Sequence, residues 1–476
     1  MTKDLHYDVI VLGGGAIGEN VADRAVQGGL SAVVVENALV GGECSYWACM
    51  PTKALLRPGT VLHAARNVPG AGEVSSHVDV AKTLRSRDGF TSNWDDAGQV
   101  EWLHSAHIDL VRGKARISGE REVTVAAASG EETGITAEHA VAVCTGSEPS
   151  IPPIKGLTDI DYWTSADAAS LQEVPGRVAV IGGGVVACEA ATFLTDLGAQ
   201  VDLIVRGDQV LNSMEPFVSE SVTSAFKQRG ITVHLSTEVT STTSITDADT
   251  PPGAEVARLQ LTSGEELDVD RVLVATGRKP RLPQAVGLDF DRDEKGHLQL
   301  NDDRSMPSHH WLYFVGDSSG KVHTTHQGKY DAREVGDVIV SHAKGADDVP
   351  LDLLRGDHLG PPQVVFCRPE AASVGVTLAQ AHEAGRDVSV YDQDLGAIAG
   401  SVLHSQDYAG QVRFIVDNGS NTLVGVTFCG DDVAEMLHAA TIAVVGEVPL
   451  DQLRHAVPSY PTMSEVWLRF LEAAGY

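Results

Sequence analysis

One pattern occurs twice in this chain, and it constrains the fold more than any other feature. Residues 7–12, YDVIVL, form a continuous stretch rich in β-branched residues that is typical of a strand buried on both faces. A glycine turn, a helical pattern and a second apolar run ending at Glu36 follow. The same order of strand, glycine turn, helix and strand returns in residues 177–206. Two such βαβ units predict two dinucleotide-binding folds in one α/β chain.

The first glycine turn has the spacing Gly13-x-Gly15-x-x-Gly18, directly after a strand and at the start of a helix. Glycines at this spacing permit the tight turn, let the backbone approach a pyrophosphate, and let the helix pack on the strand. The helix N-terminus adds N–H donors and positive potential. Glu36 stands about twenty residues further on, where an acid accepts hydrogen bonds from ribose hydroxyls. This turn therefore predicts a dinucleotide site.

The second glycine turn differs in the residue that would read the ribose. Its spacing is Gly182-x-Gly184-x-x-Ala187, and the position that matches Glu36 is Val205, followed by Arg206. An acid there would repel a 2′-phosphate, whereas an arginine can bind one with two hydrogen bonds. The pattern favours NADPH over NADH. The alternative is that Arg206 is only a solvated residue at a strand end.

Two cysteines, Cys44 and Cys49, lie in the stretch GGECSYWACMPTK with four residues between them. In a regular helix their Cα atoms would be about 8.6 Å apart, whereas a disulfide needs about 4.4–6.8 Å. They can bridge only if the turn between them is distorted, and a strained disulfide is easily reduced. Metal binding is less favoured, because zinc ligands usually come as two closely spaced pairs. A redox pair and two inert thiols both stay open on this stretch alone.

The bulk properties exclude several classes of function. The chain has 476 residues, six cysteines and a formal net charge of -30. This acidity argues against nucleic acids and anionic membrane surfaces as partners. No apolar run has transmembrane length, no signal peptide precedes the first strand, and the cysteines are too few for a disulfide scaffold. We therefore predict a cytoplasmic protein.

Short repeated motifs, here called echoes, indicate the domain organisation. AVCTGSEP (142–149) and LVATGRKP (273–280) each join an apolar strand to Thr-Gly and a turn with proline, and YFVGD ends a further strand at Asp317. The first domain is expected to resume after the second, since these pieces look like parts of one site. We predict a surface hairpin or loop over residues 240–255. After about residue 362, the sequence pattern predicts a region rich in strands. The predicted domains are 1–150, 151–272, 273–350 and 351–476.

Together these motifs resemble the flavoprotein disulfide reductases, in the branch of dihydrolipoamide dehydrogenase and mercuric reductase. The resemblance runs in order from about residue 7 to residue 467, ending in the tail motif YPTMSE. It implies two Rossmann-type domains, for FAD and for NAD(P)H with NADPH favoured, and an α+β C-terminal dimerisation domain. It also implies a homodimer with an active site shared across the interface, acting on a small molecule.

The resemblance also implies roles for single residues. Cys49 matches the thiol nearest the flavin, and Cys44 matches the thiol that exchanges with substrate. Lys53 and Glu189 match an ion pair beside the reactive nitrogen of the flavin. The predicted cofactor-binding residues are Gly13, Gly15, Gly18, Glu36, Gly42, Lys53, Ala115, Thr145, Gly146, Asp317, His326, Gly182, Gly184, Val205, Arg206, Val239 and Gly277. No metal site is predicted.

One catalytic position departs from the family pattern. Disulfide-reducing members carry a histidine near the C-terminus that is oriented by a glutamate, and here Tyr460 stands in its place while Glu465 is retained. An unperturbed tyrosine is a poor base at pH 7. Three functions therefore stay open: a disulfide reductase with altered proton delivery, a reductase of a metal ion or quinone, and a redox-sensing dimer with little turnover.

Overall fold

The computed structural model describes residues 4–71, 76–245, 256–321, 323–346 and 360–476. The chain divides into two compact units, each assembled from three stretches of sequence. The first contains Met1–Pro51, Asp88–Glu148 and Arg278–Asp357, and the second contains Thr52–Arg87, Pro149–Gly277 and His358–Tyr476. The four predicted domain ranges stay a prediction.

The first unit contains the first glycine motif. Its helices are α1 (Ala16–Gln27), α2 (Gly42–Tyr46), the start of α3 (Cys49–Arg66), the end of α4 (Val80–Phe90), α5 (Ala97–Ser105) and α9 (Thr325–Ala343). Its strands are β1 (Asp4–Leu12), β2 (Ala32–Glu36), β3 (Asp109–Arg112), β4 (Lys114–Gly119), β5 (Glu122–Ala126), β6 (Glu132–Val143), β7 (Ser147–Pro149), β16 (Arg278–Pro280), β17 (Gln284–Ala285), β18 (Ser305–Met306) and β19 (His309–Phe314).

The core of the first unit is a parallel sheet in the order β19-β6-β1-β2-β3, extended beyond β6 by the antiparallel strands β5 and β4. Residues 9–12 of strand β1 are buried on both faces. Val9 and Val11 pack with apolar residues of α1 and α9, whereas Ile10 and Leu12 pack with those of β4 and β5. This is why this part of the strand is continuously apolar instead of alternating.

The second unit contains the second glycine motif and the C-terminal residues. Its further helices are α6 (Ser165–Ala169), α7 (Val185–Asp196), α8 (Pro216–Gln228), α10 (Leu378–Glu383), α11 (Ala399–His404), α12 (Leu437–Val445), α13 (Leu450–Leu453) and α14 (Val466–Ala473). Its strands are β8 (Tyr162–Trp163), β9 (Arg177–Ile181), β10 (Gln200–Ile204), β11 (Thr232–His234), β12 (Val239–Ile245), β13 (Val256–Leu261), β14 (Glu266–Val269), β15 (Arg271–Val274), β20 (Gln363–Val365), β21 (Glu370–Gly375), β22 (Val388–Asp394), β23 (Gln411–Asp417) and β24 (Thr422–Gly430).

Three sheets organise this unit. The parallel sheet β11-β10-β9-β15-β8 carries the second βαβ motif, and β12-β13-β14 form an antiparallel sheet. The C-terminal sheet β20-β21-β24-β23-β22 is antiparallel, and its core includes Phe414, stacked on Phe470 of α14 with ring centres 4.2 Å apart. The predicted fold class, two Rossmann-type domains with an α+β C-terminal domain, is confirmed.

The predicted surface hairpin is described only in part. Strands β12 and β13 pair antiparallel and flank it, while residues 246–255 lie outside the described residues. Among the helices that the structure describes, none combines the length and the apolar character needed to cross a lipid bilayer.

Candidate active site

The two cysteines lie on either side of a break between two helices. Cys44 is in α2, which ends at Tyr46, and Cys49 is the first residue of α3. Trp47 leaves helical geometry with φ −135° and ψ 2°, while its N–H still donates to the carbonyl of Glu43. Both thiols are half-buried. The distorted turn that a bridge between them requires is therefore present, and the bridge itself stays a prediction.

The loop that carries Cys44 is docked on the first glycine turn. The N–H of Gly41 donates to the carbonyl of Gly14 at 2.7 Å. A Cβ atom on Gly42, whose φ is +64°, would lie 2.8 Å from the Cα of Gly15. Only glycine fits there at this backbone conformation and separation. The predicted nucleotide turn and the candidate redox loop thus form one backbone assembly.

The sulfur of Cys49 lies 3.4 Å from the hydroxyl oxygen of Thr325. Thr325 opens α9, and His326 follows it in the first turn. The start of this 19-residue helix concentrates N–H groups and positive potential, which favours negative charge nearby. The predicted helix near His326 is present, and its start faces Cys49.

The four other thiols have a different environment. Cys144, Cys188, Cys367 and Cys429 are buried, and burial raises the pKa of each of them above the ordinary value of a thiol. A protonated, water-excluded thiol is unreactive. Exposure therefore separates Cys44 and Cys49 from the rest.

The first glycine motif is held by close backbone contacts. A Cβ atom on Gly18 would lie 1.9 Å from the carbonyl oxygen of Gly13, and one on Gly13 would lie 2.4 Å from that of Cys144. Gly15 differs, since the nearest atom to its Cβ position is the Cα of Gly42 at 3.7 Å. Gly13 and Gly18 are thus required by the fold, whereas Gly15 leaves room beside the turn.

Glu36 is found at the end of β2, where it was predicted. One carboxylate oxygen accepts the N–H of Gly14 and the other accepts the N–H of Ala38, each at 2.7 Å. The carboxylate is therefore fixed at the glycine turn. Each oxygen keeps a further lone pair for a ribose hydroxyl.

Asp317 is the centre of a polar network in the first unit. Its carboxylate accepts the hydroxyl of Ser147, and His323 lies 3.6 Å away. Burial raises the pKa of Asp317, but the hydrogen bonds from His323 and Ser147 outweigh it, so the pKa lies below its usual value. Asp317 is thus held as an anion that accepts hydrogen bonds. The neighbouring Thr145 donates its hydroxyl to the carbonyl of Arg281.

The sequence analysis did not assign four members of this network, which are Ser147, His323, Arg278 and Glu43. Arg278 donates from Nε to the Ser147 hydroxyl at 2.7 Å and from Nη2 to the carboxylate of Glu43 at 2.5 Å. The sequence held a signal, because Ser147 and Arg278 occupy the same place after the two Thr-Gly echoes. Strands β7 and β16, which begin at these residues, pair with each other.

Two other predicted residues of the first unit occupy backbone positions. Gly146 has φ +71°, and no atom of the described residues lies within 4 Å of its Cβ position. Ala115 lies in β4, paired with Val125 of β5.

In the second unit, Lys53 and Glu189 form the predicted ion pair. The Lys53 ammonium lies 2.8 Å from one oxygen of Glu189, and the other oxygen accepts the N–H of Phe366 at 3.0 Å. The Lys53 nitrogen also lies 5.1 Å from the centre of the Phe366 ring. Glu189 is only 4% exposed, and a buried carboxylate needs such partners.

The second glycine motif repeats the close packing of the first. A Cβ atom on Gly182 would lie 2.2 Å from the carbonyl oxygen of Ala275, whereas nothing in the described part of the chain lies within 4 Å of the Cβ position of Gly184. The side chain of Val205 is buried beside Gly183, and that of Arg206 is exposed.

The remaining two predicted cofactor residues differ in accessibility. The side chain of Val239 is buried in the core of the second unit. Gly277 has φ +120°, and among the residues that the structure describes no atom lies within 4 Å of its Cβ position.

At the C-terminal end of the second unit, Tyr460 is 75% exposed and precedes a cis proline, Pro461. Glu465 is 6% exposed. Its Oε1 accepts from Arg469 at 2.7 Å, and its Oε2 has no hydrogen-bond partner among the described residues. The structure therefore does not join Tyr460 to Glu465.

Comparisons with known proteins cover nearly the whole chain. The family model described as pyridine nucleotide-disulphide oxidoreductase matches residues 7–332, and the dimerisation domain of the same family matches residues 361–470. A dihydrolipoyl dehydrogenase from Thermus scotoductus is 31% identical over 98% of this chain and 97% of its own length. A mercuric reductase from Staphylococcus aureus is 28% identical over 97% of this chain and 81% of its own length.

Among solved structures, a Cu(II) complex of the HOCl-induced flavoprotein disulfide reductase RclA from Escherichia coli has a TM-score of 0.82 at 21% identity. It covers 99% of this chain and all of that one, and it supports the fold alone. One conclusion follows from the paired glycine turns, from the break between the two helices that carry the cysteines, and from the two matched domains. The chain belongs to the pyridine nucleotide-disulphide oxidoreductase family, whose members are FAD-dependent and carry a dimerisation domain.

Proposed function

We propose that this chain is an NAD(P)H-dependent reductase that uses FAD and a redox-active Cys44–Cys49 pair to reduce a small disulfide. The observation that carries the proposal is the break between α2 and α3, which interrupts regular helix between two half-buried thiols. The contact of Cys49 with the start of α9 gives one of them a setting that favours a thiolate.

The residues of the first unit fit FAD. The space beside Gly15 is open in a turn whose other glycines are closed by contacts, which is the cradle that a pyrophosphate needs. Glu36 is fixed at the end of β2 for the ribose, and Asp317 is kept anionic for a hydroxyl-bearing chain. When bound, FAD supplies electron transfer between the nicotinamide and the thiol pair.

The chain's own residues handle the thiol chemistry. With both thiols reduced, the Cys44 thiolate attacks the substrate disulfide, forms a mixed disulfide and releases one thiol. Cys49 then displaces the second thiol from Cys44 and the intramolecular disulfide re-forms. Two electrons and two protons leave the pair, and the substrate gains them. The paired Lys53 and Glu189 keep a cationic group fixed for a neighbouring negative charge.

A homodimer with a shared site fits the exposed apolar residues of the matched dimerisation domain. Leu403, Ile442, Val445 and Val457 are each between 43% and 83% exposed. Large apolar side chains that are exposed together mark association surfaces. Tyr460 lies in the same domain, with its side chain directed out of the chain that carries it.

Tyr460 favours a second candidate, the reduction of a metal ion or quinone. Such an acceptor needs no base to return a proton to an exchanging thiol, so the loss of histidine costs nothing there. Mercuric reductases are among the relatives of this chain, as are disulfide-acting enzymes such as the dihydrolipoyl dehydrogenases.

The first prediction tests the flavin cradle. Gly15→Ala should fold normally, because the added Cβ meets only Gly42 at 3.7 Å, but it should lose bound FAD to the blocked approach. Flavin absorbance per chain and circular dichroism measure the two effects. Gly89→Ala is the control, since it also has open space but lies in α4. Full flavin content in Gly15→Ala would place the pyrophosphate elsewhere.

The second prediction assigns the two thiols and tests the proposed function itself. Two-electron reduction of the wild type should give a long-wavelength absorption band between a Cys49 thiolate and flavin. Cys44→Ser should show this band without reductant, and Cys49→Ser should lack it. If Cys49→Ser keeps the band, the assignment is reversed, and if no protein shows it, the redox pair is absent.

The third prediction concerns cofactor preference. Losing a charge-assisted hydrogen bond costs about 1.5–3 kcal/mol, so Arg206→Ala should weaken NADPH by roughly 10- to 150-fold and leave NADH nearly unchanged. Steady-state kinetics with both cofactors measure it, with the exposed Arg85→Ala of the same unit as control. Equal weakening for both cofactors would remove 2′-phosphate recognition by Arg206.

The fourth prediction separates the two candidate functions. Tyr460→His restores a base in the segment that retains Glu465, and general-base assistance is typically worth about 10²–10⁴-fold. Turnover of lipoamide-like or glutathione-like disulfides should therefore rise. A panel of disulfides, quinones and metal salts, followed by NADPH oxidation, gives the comparison.

Tyr460→Phe is the control for that experiment, because it removes only the hydroxyl. A fall in metal or quinone reduction in Tyr460→His, without gain on disulfides, would support the second candidate. Unchanged rates in both variants on every substrate would make Tyr460 a structural residue.

A further inference from the structure

A costly backbone conformation lies close to the redox loop. Three consecutive residues of the first unit, Ser92, Asn93 and Trp94, have φ values of +51°, +53° and +57°. For residues with a Cβ atom the left-handed region is sterically unfavourable, and a run of three is unusual. Such strain persists only where surrounding contacts impose it. The contacts of this turn reach α2, the helix that carries Cys44.

Trp94 reaches the helix break between Cys44 and Cys49. Its indole Nε1–H donates to the carbonyl of Tyr46 at 3.2 Å. Tyr46 is the last residue of α2, so its carbonyl belongs to a helix end that lacks intrahelical donors. The indole therefore caps the carboxyl end of the helix that carries Cys44.

The same segment holds the other end of the redox loop. Asp96 accepts the N–H of Val40 at 2.7 Å, just before α2 begins. Arg112 binds the same carboxylate oxygen at 2.5 Å and also donates to the carbonyl of Ala38. Residues 92–96 thus hydrogen-bond to the chain just before α2 and to its last residue, and we call them the 92–96 clamp.

The ring of Tyr46 is buried at the end of α2. It is 2% exposed and lies 5.6 Å from the Trp47 ring. Burial raises the pKa of the Tyr46 hydroxyl, and the carboxylates of Asp96, Glu19 and Asp95 raise it further, against the opposing charge of Arg112. The ring therefore stays neutral, as packing requires.

We propose that Trp94 is a positioning residue for the thiol pair, and that its indole hydrogen bond sets the equilibrium between the Cys44–Cys49 disulfide and the dithiol. This inference rests on the proposed redox pair. The couple is a disulfide plus two electrons and two protons giving two thiols, so whatever holds the sulfurs together favours the oxidised side. Loosening the carboxyl end of α2 lowers the effective concentration of one thiol at the other.

Trp94→Phe tests this, because it keeps an aromatic ring and removes the N–H. Loss of one hydrogen bond should shift the thiol–disulfide equilibrium about 2- to 12-fold toward the dithiol, or roughly 10 to 30 mV toward less negative potential. The FAD-loaded protein is equilibrated with graded mixtures of oxidised and reduced dithiothreitol. Thiols at positions 44 and 49 are then trapped with maleimide and counted by mass spectrometry.

Two variants serve as controls. Trp102→Phe makes the same change at an exposed position of α5 and should leave the potential unchanged. Asn93→Gly relieves the backbone strain while keeping the indole donor, so it should stabilise the fold without moving the potential. Asp96→Asn weakens the other arm of the clamp and should shift the potential in the same direction as Trp94→Phe. It also serves if Trp94→Phe does not fold.

The possible results distinguish a failure of the proposed function from a failure of the proposed role of the 92–96 clamp. If the wild-type pair does not titrate, the proposed function fails and the clamp fails with it. If the wild type titrates but Trp94→Phe has an equal or more negative potential, only the clamp is overturned. A shift of similar size in Trp102→Phe would also overturn it, because the effect would then not belong to the indole at Tyr46.

Discussion

The docking of the candidate redox loop, which carries Cys44, on the first glycine turn is the contact on which the rest of the site depends. Gly42 approaches Gly15 so closely that a side chain on Gly42 would collide with backbone, and Gly41 hydrogen-bonds to Gly14. Backbone contacts of this kind are rigid, because no side-chain rotamer can absorb a change. The cysteine-bearing helix is thereby placed against the nucleotide turn, and the chemistry of the thiols is tied to whatever that turn binds.

Charge inside the molecule is managed by local pairing. With a net charge of -30, the chain cannot rely on a general positive field to hold an anion, so buried charges need partners close by. Lys53 and Glu189 satisfy one another and Phe366 in the second unit. In the first unit, Arg278 bridges Glu43 and Ser147, and Ser147 leads on to Asp317. Glu465 is paired with Arg469, although its other carboxylate oxygen has no hydrogen-bond partner among the described residues.

The interrupted helix shows how far a local sequence pattern can predict a distortion of the backbone. The spacing of Cys44 and Cys49 indicated that a bridge between them needs a distorted turn, and the break at Trp47 supplies one. The hydrogen bond that caps α2 at the break could not be predicted, since its indole donor comes from Trp94, 48 residues away. Likewise, Arg278 and Glu43 are 235 residues apart, and only the paired Thr-Gly echoes hinted that their segments meet.

The sequence by itself determined both βαβ units, the fold class and the family, because glycine spacing and continuous apolar strands express local steric and burial requirements. It also located Glu36 at a strand end and the helix that begins near His326. Tertiary structure alone decided which thiols are accessible, which carboxylates are paired and which residues hold α2 by hydrogen bonds. Those properties depend on where distant segments meet, and no local pattern of residues encodes the distance between Tyr46 and Trp94.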